Sequence, residues 1–150
     1  NLFSMERKRY EGFSLIEILV VVALIIILAT ITIVAINPGK NFRDTRNAQR
    51  SSDVNSILNA VTQYTTDGKP LSAFGTIAEC ADGATPIGTG TDNANLTTLT
   101  EAANDYIVSI PMDPSNGTEA NTGYTICTIG TRVQIAAPNA EDGKQIVVKR

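Results

Sequence analysis

The chain has 150 residues, 43% of them hydrophobic, and a formal net charge of −3, which fits one domain. It contains no histidine, which removes imidazole acid–base catalysis and most zinc sites. Setting aside the three basic and two acidic residues of the first twelve leaves 9 basic and 13 acidic residues, net −4, so the body has no basic footprint for nucleic acid.

A mean hydropathy of +0.03 conceals two unlike parts. Met5 is a candidate translation start, and Arg7, Lys8 and Arg9 make a short basic stretch after it. Residues 18–36 then run without a charge or a strongly polar group, while the rest is rich in Thr, Asn, Gly and Asp. Counted from Phe13, the run holds 24 residues. As a helix at ~1.5 Å per residue it reaches roughly 36 Å, enough for the ~30 Å of a bilayer's hydrocarbon. A secretory signal peptide has an apolar core of only about 7–15 residues, and no small-x-small cleavage site comes after this run. Flanking charge does not orient the span, because Arg7, Lys8 and Arg9 precede it and Lys40, Arg43, Arg46 and Arg50 come after it.

Asn37-Pro38-Gly39 predicts a kink or interruption, since proline lacks an amide donor and crowds the preceding turn. Beyond it Val54, Ile57, Leu58, Val61 and Tyr64 recur on one helical face. Arg43, Asp44, Arg46, Arg50 and Asp53 precede them and read as a solvated polar face, with a binding patch as the alternative. The expectation is one long helical element over residues 13–66, bent near Pro38, with its first half in lipid and its second half packed by one face on a soluble domain. Asp67-Gly68-Lys69-Pro70 ends it.

Residues 71–95 read as loop, residues 95–103 as a short helix capped by Asn95 or Thr97, and Ile110-Pro111-Met112-Asp113-Pro114 as irregular. Three strands are predicted at about 123–129, 131–137 and 145–149, with a tight turn at Gly130 and a longer one over residues 139–143. The class is α+β, an antiparallel meander of about three strands whose one buried face the amphipathic half-helix covers. Cys80 and Cys127 are the whole thiol inventory. If the body lies outside the cell they meet an oxidising compartment and can bridge, tying the loop to the first strand of the meander; two buried free thiols are the alternative. Asn95-Leu96-Thr97 and Asn116-Gly117-Thr118 are glycosylation sequons, a pattern that also arises by chance.

Gly12-Phe13-Ser14-Leu15-Ile16-Glu17-Ile18-Leu19-Val20-Val21, behind a basic leader, resembles the prepilin peptidase site of type IV pilins and type II secretion pseudopilins. Residues 42–70 resemble the second half of that family's long helix and its exit turn. Residues 110–114, 123–126 and 133–138 resemble its approach to the sheet and its strands, and residues 71–95 match nothing in it. The resemblance implies cleavage after Gly12 on the cytoplasmic side and methylation of the new amine of Phe13. It thus orients the chain: residues 1–12 are a leader, 13–36 a transmembrane and later filament-core helix, and 37–150 an extracytoplasmic globular domain.

The same resemblance implies a structural subunit rather than an enzyme, with no cofactor. Its partners are other copies of itself or related pilins, the membrane before assembly, the prepilin peptidase, and an assembly platform protein with its ATPase. The expected filament is a type IV pilus serving adhesion, twitching motility or DNA uptake; a pseudopilin of a type II secretion or competence system, or a non-assembling single-span ectodomain, are the alternatives. Glu17, the single charge in residues 13–36, is expected to pair with the Phe13 amine of a neighbouring subunit. Its place near the helix start offers a second explanation, since the helix dipole favours an anion there. Major pseudopilins often bind calcium, but no full oxygen set maps onto this chain. Asp113, Asn116 and Glu119 are the nearest candidates, and the expectation is no metal.

Overall fold

A computed structural model describes residues 11–150; Met5, Arg7, Lys8 and Arg9 of the expected leader lie outside the described residues. The chain divides into two compact units, one ending at Asn41 and the other running Phe42–Arg150. Helix α1 spans Leu15–Ile36 and α2 spans Pro38–Thr66.

The single helix expected over residues 13–66 is therefore broken at Asn37. That residue adopts the left-handed conformation, φ 51°, and closes α1. Its side-chain oxygen also accepts from the Lys40 amide at 3.3 Å, so it caps the start of α2. Pro38 then occupies the first helical position, where a missing N–H costs nothing.

In the second unit, the α2 residues Val54, Ile57, Leu58, Ala60, Val61 and Tyr64 are buried in one apolar cluster with Phe74, Ile87, Leu96, Leu99 and the sheet residues Tyr124, Ile126, Val133 and Ile135. The sheet has four antiparallel strands in sequence order: β1 Thr85–Pro86, β2 Thr125–Ile129, β3 Arg132–Ala137 and β4 Ile146–Lys149. The three longer strands lie within the ranges expected for them. Gly130 opens the two-residue β2–β3 loop with φ 59°, a value that glycine takes without steric cost. The first strand was expected to be loop. Two residues, one a proline, carry no readable period; the Ile87 amide carries the bond to the Tyr124 carbonyl of the neighbouring strand and the Pro86 carbonyl accepts from the Ala94 amide, so no ladder bond calls on the N–H that proline lacks.

The short helix over residues 95–103 is a 3-10 turn, Leu96–Thr100, with the Asn95 side chain accepting from the Thr97 amide. A disulfide joins Cys80 to Cys127, with Cα atoms 4.9 Å apart. It fastens the segment before β1 to the middle of β2.

Arg50 and Asp53 overturn the reading of a solvated face: Arg50 is 1% exposed and Asp53 6%. Arg50 donates to Asp113 through Nε at 2.7 Å and Nη2 at 3.1 Å, to Glu141 through Nη1 at 2.8 Å, and to Asn47 and Ser115. Arg46 forks onto Glu141 at 2.7 and 2.6 Å, and Tyr124 donates its hydroxyl to Asp53. A charge can be buried only with partners of this kind. The stripe that begins at Val54 simply continues backward in polar form through Asp53, Arg50, Asn47 and Arg46, at the same spacing of three and four. Burial raises the Tyr124 pKa well above its ordinary value, and the bond to Asp53 raises it further. Burial alone would push the Asp113 carboxyl up, but Arg50 and the backbone amides of Ser115 and Asn116 outweigh it and hold it below the ordinary range.

Candidate functional site

The start of α1 gathers Gly12, Phe13 and Glu17. Ser14 is the N-cap, in extended conformation at φ −76° and ψ 154°. Its hydroxyl accepts from the Glu17 amide at 3.3 Å, and Glu17 Oε2 accepts from the Ser14 amide at 2.8 Å. This reciprocal capping box satisfies two backbone donors that a helix start leaves unpaired. Sequence reasoning placed Glu17 near a helix start but missed Ser14, although Ser-x-x-Glu before an apolar run is the signal for such a box.

Phe13 is 85% exposed. A Cβ added at Gly12 would meet no atom within 4 Å, and its φ is not positive. Nothing in the local fold among the described residues therefore requires glycine there.

Helix α1 is long and apolar enough to cross a membrane, and none of its 22 residues is buried. Its two threonines donate inward along the helix, Thr30 to the Ile26 carbonyl and Thr32 to the Leu28 carbonyl, each at 2.8 Å. Hydroxyls tied back in this way present no unsatisfied donor to lipid.

Residues 7–33 match the family model of the prokaryotic N-terminal methylation motif. The chain carries that motif. It is characteristic of type IV pilins and pseudopilins, and with the apolar helix it fits a membrane-anchored precursor of that structural type. The motif implies processing by a prepilin peptidase and assembly in general. No curated protein and no solved structure matches the chain.

The remaining candidate residues sit in the other unit. Cys80 and Cys127 are joined there. Of the oxygen-bearing residues considered for calcium, Asp113 has both carboxylate oxygens on Arg50, and Asn116 Oδ1 accepts from Asn139 at 3.3 Å. Glu119 is exposed, and its backbone carbonyl accepts from the Thr89 amide at 2.9 Å. Among the described residues no group of three or more His, Cys, Asp or Glu is placed to hold a metal ion. Asn95, exposed in its sequon, accepts from both the amide and the hydroxyl of Thr97.

Proposed function

We propose that this chain is a subunit of a type IV pilus-like surface filament. In this reading a prepilin peptidase cuts between Gly12 and Phe13, Phe13 receives the methyl group, and the domain of residues 37–150 lies outside the cytoplasmic membrane. The observation that carries it is the exposed Gly12-Phe13 junction immediately before a capped helix whose single charge is Glu17 in its first turn. A glycine that its own fold does not need is explained by an enzyme that must approach the backbone closely.

The filament is a consequence of solvation. A helix apolar on every side is stable in lipid and can leave it only if other such helices replace the lipid, and a contact that does not close into a ring builds an open helical fibre. A platform protein and an ATPase supply the extrusion, and adhesion, twitching motility or DNA uptake are the uses such a fibre serves.

Glu17 is assigned the register. One carboxylate oxygen takes the Ser14 amide, which leaves the other to meet the Phe13 amine of a neighbour. An unmatched charge in an apolar core is penalised in every other register. Two variants separate this role from capping. Glu17→Gln keeps a capping box, which accepts glutamine, but loses the charge; Glu17→Val loses both. Cells carrying either variant alone are expected to insert and cleave the subunit, as read by mass spectrometry of its amino terminus, yet to make few or no fibres by electron microscopy. Normal fibres from Glu17→Gln would reduce Glu17 to a cap. A leader still attached to assembled wild-type protein would overturn the processing scheme.

A further inference from the structure

The globular unit separates its charges across the sheet. Residues 67–122 hold eight carboxylates and one lysine, net −7, whereas residues 130–150 hold four basic side chains and two carboxylates. Both of those carboxylates are turned toward α2, Glu141 onto Arg46 and Arg50 and Asp142 onto Arg43. Strand order converts this division into geometry. Glu79 bridges to Thr128 beside β2, and the Ala94 amide donates to the Pro86 carbonyl beyond β1. The exposed Glu79, Asp82 and Asp92 therefore border one side of the sheet, while the exposed Lys149 and Arg150 border the other, and Lys144 reaches Asp44 of α2 at 3.8 Å. Three strand spacings, roughly 14 Å, separate the two borders.

The basic border is also an open edge. Val133 and Arg150 exchange both backbone bonds at 2.9 Å, so by antiparallel alternation Ile135 pairs likewise with Val148, and Ala137 with Ile146. The N–H and C=O of Val147 and Lys149 then point off the sheet, and they have no backbone partner among the described residues. Val147 is half exposed there. An open edge with cations over it repels a like edge and attracts an acidic one.

We propose that the β4 edge of one copy docks on the acidic 79–94 border of a second copy. Because the two surfaces differ, each subunit offers one of each, and the contact adds subunits without closing. The inference rests on the filament reading, which brings many copies side by side.

The test uses the full chain in cells, with a photo-reactive benzoylphenylalanine at the exposed Gln145 and fibres counted in the same cultures. Irradiation is expected to give a two-copy adduct whose peptide map joins residue 145 to residues 79–94. Lys149→Glu with Arg150→Glu should lower its yield about tenfold or more, since like charges now face each other. Adding Glu79→Lys with Asp82→Lys should restore it. An adduct mapping elsewhere, no adduct, or a yield indifferent to reversal overturns the docking even where fibres are abundant. The mapped and charge-dependent adduct without fibres would support the docking and remove the filament reading instead.

Discussion

Arg50 is the residue on which the globular unit is most exposed to damage. Its guanidinium is buried and stays charged, held by Asp113 and Glu141, and their hydrogen bonds raise its pKa. Asp113→Asn removes the nearer anion and leaves an undercompensated buried cation, a change that typically costs about 3–5 kcal/mol. A urea titration of the full chain in detergent should show that loss as a lower midpoint with an unchanged slope. Acid should act through the same site. The bonds from Arg46 first, then from Arg50, lower the Glu141 pKa from its ordinary 4.5 to about 2. A depressed carboxylate contributes stability that is present above its unfolded value and lost as pH falls through the folded one. Stability should therefore decline from about pH 4.5 toward 2, and Glu141→Gln should flatten that decline when melting is followed against pH. Little of this was legible in the sequence. Arg50 and Asp53 stand among other charged residues, and charge alone reads as solvent exposure; their spacing relative to Val54 held the contrary signal.

At the scale of elements, what could be read depended on how many residues carried the pattern. The apolar run of α1 and the β-branched residues concentrated in β2, β3 and β4 are numerous enough to show, and Gly130 marked its turn by chemistry. Strand β1 has two residues and is made by its partner, so no local pattern announces it. The break at Asn37 was half legible, since Pro38 forecasts an interruption but not that Asn37 would turn left-handed to cap both helices. The Cys80–Cys127 bond ties residues 47 apart, and in the loop-entropy account a closure of that size limits the unfolded chain by about 4 kcal/mol. It crosses between a segment with two short 3-10 turns and a strand of the sheet, so the poorly patterned part depends on it most. Cys80→Ser with Cys127→Ser should lower the urea midpoint accordingly, and hydrogen exchange should rise first in residues 75–86. Uniform loss of protection across α2 and the sheet instead would show that the bond holds the whole unit rather than that segment.

For the whole molecule, the two units answer to different solvents. Every member of the apolar core lies at Val54 or later, and α1 buries none of its residues. Deleting residues 1–36 therefore removes no described member of that core, while it removes most of the large hydrophobic side chains left exposed to water. The shortened chain is expected to remain in the supernatant as a monomer, with the disulfide formed and a single cooperative urea transition. Its unfolding free energy should lie within about 0.5 kcal/mol of that of the globular unit in the full chain, the scatter for sites sharing no partner. Near-ultraviolet circular dichroism checks the packing and analytical ultracentrifugation the state of association. If the shortened chain instead lost its fixed aromatic signal and bound hydrophobic dye, with secondary structure retained, it would be a molten state. The core around Tyr64, Phe74 and Tyr124 would then need the apolar helix, and the division of labour between the units would be wrong.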